Sequence, residues 1–356
     1  MSYWINQPID ISNTTEIKII SNDIFKRKKK SLPNGFQFKT LGLSYLEEIF
    51  GLLNNHYIED SQHIIKLVYS KDFLYWYLKH VPPGFIIGLI FKKKIVGMIA
   101  ALFIDMIVCG KKIKVPYINF LCVQSKIRNL GFGLFLIDEI KERLSKIGIT
   151  YALFTGLKPI TKYFCTTKDF VIPINYPKLK EVGFLMEDEN LAPLSVLNDN
   201  PLHLMNISDI DSIVSKLNKF MEKFDVKPYF TNESVKHFLL PKKNIVYSFV
   251  NRNENGDVVD FVSVYKNYLY CLEKNKIVSV AQLAFYFHET MNLTQLVLNL
   301  IDKLSTYNID QLVFRNMSDN MSINITKFST REQLYYFFFN VSIKEINSSK
   351  LCFYPF

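Results

Sequence analysis

The sequence predicts a mixed α+β protein, built as two halves of similar order. Short β-branched runs alternate with helical apolar spacings along the chain. An order of helix, strand hairpin, helix and strand comes twice, the look of a degenerate internal duplication. The 356 residues, 49% of them hydrophobic, can bury a large core, and at about 150 residues per domain they suggest two domains or one duplicated one.

An N-terminal arm leads into the basic run Lys26–Lys30 and a Pro33-Asn34-Gly35 turn, which reads as an exposed connection. Residues 43–56 repeat apolar positions at helical spacing behind Ser44, with Glu47 three residues on, which predicts a capping box and an amphipathic helix. "SKDFLYWYLKHV" predicts a second helix, ending before Pro82-Pro83-Gly84. Residues 85–123 read as a strand meander broken by KKK, CGKK and VP. "LFLIDEIKERLSKIG" is a helix closed by Gly148, more core than cofactor box, and "TYALFTG" a further strand. "LAPLSVLNDNP" marks the boundary between halves. Beyond it come a helix over 208–224 with a Ser/Asp cap, a hairpin turning at Asn255-Gly256, the helix "LTQLVLNLIDKLSTYNI" and the strand "DQLVFR".

The formal charge of +10 suits an anionic partner: nucleic acid, a membrane surface or a phosphorylated cofactor. Nucleic acid ranks last, because no aromatic or glycine interleaving accompanies Lys26–Lys30. Five scattered cysteines include no C-x-x-C, so neither a metal site nor a disulfide framework is expected, and a reducing cytoplasm is. No run approaches the roughly 18–20 apolar residues of a membrane span, and the N-terminus lacks an export layout, so neither membrane insertion nor export is expected.

"INFLCVQSKIRNLGFG", residues 118–133, delivers a strand into Arg128, Gly131 and Gly133 just before a helix. Such a junction offers free backbone N–H groups and the positive end of a helix dipole, a setting for phosphate. The R-x-x-G-x-G pattern is similar to the pyrophosphate loop of the acyl-CoA N-acyltransferase superfamily. "INFLCV", with "PPG" upstream and "FTG" downstream, resembles the glycylpeptide N-tetradecanoyltransferases (N-myristoyltransferases), whose signature reads E-I/V-N-F-L-C-V-H-K. Tyr3-Trp4 with Gln7-Pro8, Leu32-Pro33 with Gly35-Phe36, "LLNNHYIED" and "NENGDVVDFVSVY" match further family segments in the same order.

The resemblance implies two pseudo-symmetric acyl-CoA N-acyltransferase-like halves around a saddle-shaped, mainly antiparallel sheet. It implies an arm over 1–40 contacting CoA, an acyl-CoA-binding half over 41–190 and a peptide-binding half over 191–356. The reaction would carry a myristoyl group from myristoyl-CoA, the co-substrate, to the N-terminal glycine of proteins, without metal. The backbone N–H groups of Phe120 and Leu121 would form the oxyanion hole, and their side chains could vary modestly. The C-terminal carboxylate of Phe356 would serve as base, while Asn119 and Thr155 hold the amine. Tyr3, Trp4, Phe120, Leu121, Cys122, Val123, Arg128, Asn129, Leu130, Gly131, Phe132 and Gly133 would contact CoA. Tyr57, Glu59, Asp60, Tyr163 and Ser263 would meet the peptide; taken alone, Ser263 is an ordinary strand serine.

The chain departs from the pattern in places. The signature's glutamate is Tyr117, and its His-Lys is Gln124-Ser125. The acidic cluster is shortened to Glu59 and Asp60, so a weaker preference for lysine-bearing peptides is expected. The family's K-F-G-x-G-D-G survives as Lys327-Phe328. Two other readings stay open: an acyltransferase with another acyl group or amine acceptor, and a non-catalytic binder of acyl-CoA or lipidated peptide. A monomer without a basic ribosome-targeting leader is expected.

Overall fold

The computed structural model describes residues 2–5, 7–14, 16–21, 31–57, 65–185 and 199–355. Lys26–Lys30, Glu59, Asp60 and the terminal Phe356 lie outside them. The chain forms two compact units, one of residues 1–59, 69–166 and 334–346, the other of 60–68, 167–333 and 347–356.

In the first unit a sheet runs in the order β1 (Phe36–Thr40), β2 (Ile86–Phe91), β3 (Lys94–Val108), β4 (Lys111–Val123), β5 (Ala152–Gly156) and then the end of Phe328–Phe339. All neighbours are antiparallel except β4 and β5. Helix α1 (Leu46–His56) and helix α2 (Lys71–Leu78) pack together, and α1 covers one face of β3 and β4. Helix α3 (Phe132–Lys146) covers the other, with Leu136 against Gly97 and Val123 beside it. Its buried residues Phe132, Leu136, Ile140 and Leu144 recur every four, the stripe of a helix lying on a sheet. Gly148, at φ +79°, follows the helix end as predicted.

The arm is tied into this unit. Asp10–Ile11 pairs in parallel with Val341–Ile343, whose other edge takes Lys18–Ile19. Ser342 adds hydrogen bonds to Ser12 and Asp10, each 2.7 Å.

In the second unit β6 (Val246–Arg252), β7 (Val258–Cys271) and β8 (Lys276–His288) form an antiparallel meander. Helix α4 (Leu293–Ser305) then leads to β9 (Gln311–Arg315), which lies parallel to β8. Residues 169–173 add antiparallel to β9. Leu296, Leu300 and Leu304 seat α4 on a core with Phe249, Val264 and Leu283.

The two orders correspond: hairpin β3–β4, helix α3, parallel strand β5 in one unit, and hairpin β7–β8, helix α4, parallel strand β9 in the other. The duplication expected from the sequence is therefore visible as topology. Each unit is discontinuous in sequence, because the strand beside each returning strand comes from a distant part of the chain. Residues 335–339 flank β5, and residues 169–173 flank β9.

Two caps are corrected. Leu43–Tyr45 forms a 3-10 turn, so Ser44 sits inside it and caps nothing; Tyr45 stands at the start of α1 without a side-chain bond. The helix expected over 208–224 runs from Ile210 to Phe220, and the preceding turn is boxed by Asn206 and Asp209, not by Ser208. Where the resemblance expects K-F-G-x-G-D-G, the strand Phe328–Phe339 begins.

Candidate active site

The parallel ladder between β4 and β5 holds at Tyr117–Leu153 and Ile118–Phe154 and goes no further. Beyond it the strands part, leaving Asn119 to Leu121 on one lip and Thr155 and Gly156 on the other. All five line one cavity of about 460 Å³, within the roughly 300–1,000 Å³ of small-molecule sites. Its walls are apolar: Ile118, Phe154 and the α3 residues Ile137, Ile140 and Leu144 face it. The helix expected to be core is thus also a cavity wall.

A bulge shapes the β4 lip. Met98 pairs with Cys122 and Ala100 with Asn119, so Phe120 and Leu121 together oppose Ile99 alone. Phe120 takes φ +54°, a conformation an aromatic residue adopts only under constraint. The constraint is its ring, wholly buried against Tyr57, Tyr69 and Tyr77 at centroid distances of 5.9, 5.5 and 5.0 Å. This corrects the expectation that the Phe120 side chain can vary, since the ring fixes the main chain. Leu121 is 39% exposed at the rim.

Asn119 organises the lip. Its Oδ1 accepts from the Tyr57 hydroxyl at 3.1 Å and from the Phe120 N–H at 2.8 Å, while its Nδ2 donates to the Tyr77 hydroxyl at 3.4 Å. Across the gap, the hydroxyls of Tyr117 and Thr155 are 3.1 Å apart. Burial pushes Tyr57, Tyr77 and Tyr117 above the ordinary phenol range, so all three stay protonated and neutral. The sequence reading missed Tyr77 and the Tyr117 contact. Partners so far apart in sequence leave no local pattern.

The N-terminal arm supplies another wall. Trp4 lines the cavity and stacks on Phe154 at 5.2 Å, and Phe154 stacks on Phe337 at 4.8 Å. Tyr3 donates to Asp138 of α3 at 2.8 Å, and Lys141 donates to Gln7 at 3.2 Å.

After β4 the chain forms a 3-10 turn, Ser125–Leu130, and reaches Gly131 at φ +82°. No side chain caps α3. In α4, by contrast, Asn292 and Gln295 close a capping box over the first turn. Asn129 and Leu130 are exposed, whereas Phe132 is buried beside Phe36, so only its main chain could face a phosphate. The Arg128 guanidinium donates to the His56 carbonyl, tying the turn to the end of α1. Val123 is buried, and the Cys122 thiol lies 3.9 Å from the Leu52 carbonyl; burial pushes it up to about 12 against the influence of Arg128.

The remaining candidates stand apart. Tyr163 packs edge-on against Tyr335 at 4.9 Å. Ser263 is fully buried in β7, its hydroxyl accepting from Ser248 at 2.8 Å, the ordinary strand environment. Among the described residues no group of His, Cys, Asp and Glu could hold a metal ion, and no helix is long and apolar enough to cross a membrane.

A bulged hairpin, an uncapped helix and a splayed parallel return strand define an N-acyltransferase-type fold. A GCN5-related N-acetyltransferase from Kribbella flavida matches it with a TM-score of 0.53 at 8% identity, over 85% of this chain and 70% of that one. The yeast structure described as "Saccharomyces cerevisiae N-myristoyltransferase with bound myristoyl-CoA" matches far better, with a TM-score of 0.86 at 23% identity, over 98% of this chain and 89% of that one.

The chain belongs to the N-myristoyltransferase family. The family models for the N-terminal and C-terminal domains of myristoyl-CoA:protein N-myristoyltransferase match residues 16–167 and 192–351. A relative from Acanthamoeba polyphaga mimivirus, named "Putative glycylpeptide N-tetradecanoyltransferase", is 53% identical over 94% of both chains. The glycylpeptide N-tetradecanoyltransferase of Plasmodium falciparum is 28% identical over 98% of this chain and 92% of its own. Membership makes the chain an acyltransferase that carries a tetradecanoyl group to a glycine amine.

Proposed function

We propose that transfer from myristoyl-CoA occurs in the gap between β4 and β5 by direct attack of the glycine amine on the thioester carbon, the amide C–N bond forming as the C–S bond breaks and CoA leaves as its thiol. The observation that carries this reading is the bulge at Phe120 and Leu121, set at the mouth of an apolar cavity. The cavity takes the hydrocarbon chain, each buried methylene contributing about 0.8 kcal/mol. Main-chain N–H groups of the bulge, Leu121 foremost, stabilise the thioester oxygen as it becomes negative. The Phe120 N–H is shared with Asn119 Oδ1, so Asn119 sets how far that donor is available.

The uncapped first turn of α3, with Gly131 and Gly133, receives the pyrophosphate, and Tyr3 and Trp4 hold the arm along the cofactor. Asn119 and Thr155 orient the amine, and the carboxylate of Phe356 takes its proton. The first half of the chain binds the acyl donor and the second takes the peptide, and Tyr57, Glu59, Asp60, Tyr163 and Ser263 are the residues assigned to the peptide substrate. The protein acts as a cytoplasmic monomer on Gly-initiated proteins, without nucleic acid or stable membrane insertion.

The test is transfer of labelled tetradecanoyl from its CoA thioester to a Gly-initiated peptide, beside the same peptide with its amine acetylated. Transfer to the free amine alone is expected. Acyl-CoA binding without transfer to any glycine peptide would favour the binder reading.

A further inference from the structure

One side-chain contact spans the point where β4 and β5 part. Tyr117 stands opposite Leu153 at the last stretch of the ladder. Its hydroxyl reaches Thr155, two residues further along β5, at 3.1 Å. Tyr117 is only 2% exposed, while Thr155 faces the cavity beside Asn119. From this juxtaposition we propose that Tyr117 is a positioning residue for acyl transfer, holding the Thr155 hydroxyl in the orientation that receives the substrate amine. The inference rests on the amine-holding role of Thr155 given above.

The chemistry requires such a partner. Threonine is stiff at χ1 but its hydroxyl still chooses among staggered wells, and an unheld hydroxyl turns to nearby backbone carbonyls. A hydroxyl has one donor and two acceptor sites. One bond to Tyr117, whichever oxygen donates, selects the rotamer and leaves Thr155 at least one lone pair for an amine hydrogen.

The other lip is held in the same way, because Tyr57 and Tyr77 bond Asn119. Phenols therefore fix both amine-facing side chains. Tyr117 occupies the place of the signature's glutamate, and a carboxylate there would supply an acceptor for the same threonine hydroxyl, whereas phenylalanine supplies none.

The test is steady-state transfer to a Gly-initiated peptide by Tyr117→Phe, Tyr117→Glu, Thr155→Val and the double variant Tyr117→Phe/Thr155→Val, with acyl-CoA binding measured separately by fluorescence. Tyr117→Phe is expected to lose about tenfold in kcat, the size of one net hydrogen bond. Its KM for acyl-CoA should move by less than about twofold, and Tyr117→Glu should recover most of kcat. The double variant should be no slower than the slower single variant, because the two residues act as one unit.

Wild-type kcat in Tyr117→Phe, or a double variant losing the product of the single losses, would overturn the proposal. Full activity in Thr155→Val would overturn it for a different reason, by removing the amine-holding role on which it rests. Unchanged acyl-CoA binding in every variant separates these outcomes from misfolding.

Discussion

Phe120 should respond to truncation in an order opposite to that of an ordinary strand position. Replacing this wholly buried ring by alanine removes its packing on Tyr57, Tyr69 and Tyr77, at a cost of roughly 3–5 kcal/mol. Alanine keeps the strain of φ +54°, about 1–2 kcal/mol for a residue with a Cβ. Glycine removes that strain but adds unfolded-state entropy, about 0.4–1 kcal/mol. The balance leaves Phe120→Gly more stable than Phe120→Ala by roughly 0.8 kcal/mol, the middle of a span of about 0–1.6 kcal/mol. Urea unfolding of the two variants and the parent, with matched slopes, measures the difference. An alanine variant as stable as the glycine variant, or more so, would refute the idea that the ring holds a strained bulge. Both variants should also lose transfer activity, because the bulge amides lose their fixed direction.

Removing Pro355 and Phe356 should abolish turnover while leaving acyl-CoA binding largely intact, as single-turnover and binding assays would show; full activity after that truncation would remove the base assignment. Gly131→Ala meets open space but keeps φ +82°, so it should cost about 1–2 kcal/mol in unfolding free energy and weaken CoA binding measured by calorimetry. Asp260 is buried, which alone would raise its pKa. Hydrogen bonds from the side chains of Thr290 and Asn251 and from the amides of Glu289 and Thr290 outweigh that and hold it below the usual carboxylate value. Its contribution to stability is therefore complete above the unfolded pKa of about 3.9 and is lost as pH falls through the lower folded value. Urea midpoints between neutral and strongly acid pH should decline in that window, and Asp260→Asn should flatten the decline.

The strand meander, the helix after Gly131 and the Asn255-Gly256 turn were legible because each is written locally, in periodicity and turn chemistry. Phe120, Leu121, Asn119 and Thr155 were legible only through resemblance, yet the structure gathers all four at one cavity. What lay hidden depends on contacts distant along the chain. Tyr77 reaches Asn119 from a separate helix, and Tyr117 reaches Thr155 from a neighbouring strand. Ser44 misled because a 3-10 turn absorbed the residue whose spacing announced a cap. The exchange of residues 169–173 and 335–339 escaped because antiparallel pairing between strands so distant along the chain has no sequence marker.

That exchange bears on how the protein is made. When β5 leaves the ribosome, the strand that covers its edge is still roughly 180 residues from synthesis, some 10–35 s away at about 5–20 residues per second. Until then β5 presents unpaired backbone to any other extended chain, and the arm lacks Val341–Ile343 as a partner. The edge of β5 beside the cavity is thus covered only once residues 335–339 have been made, and a nascent chain stalled before them would carry that edge open.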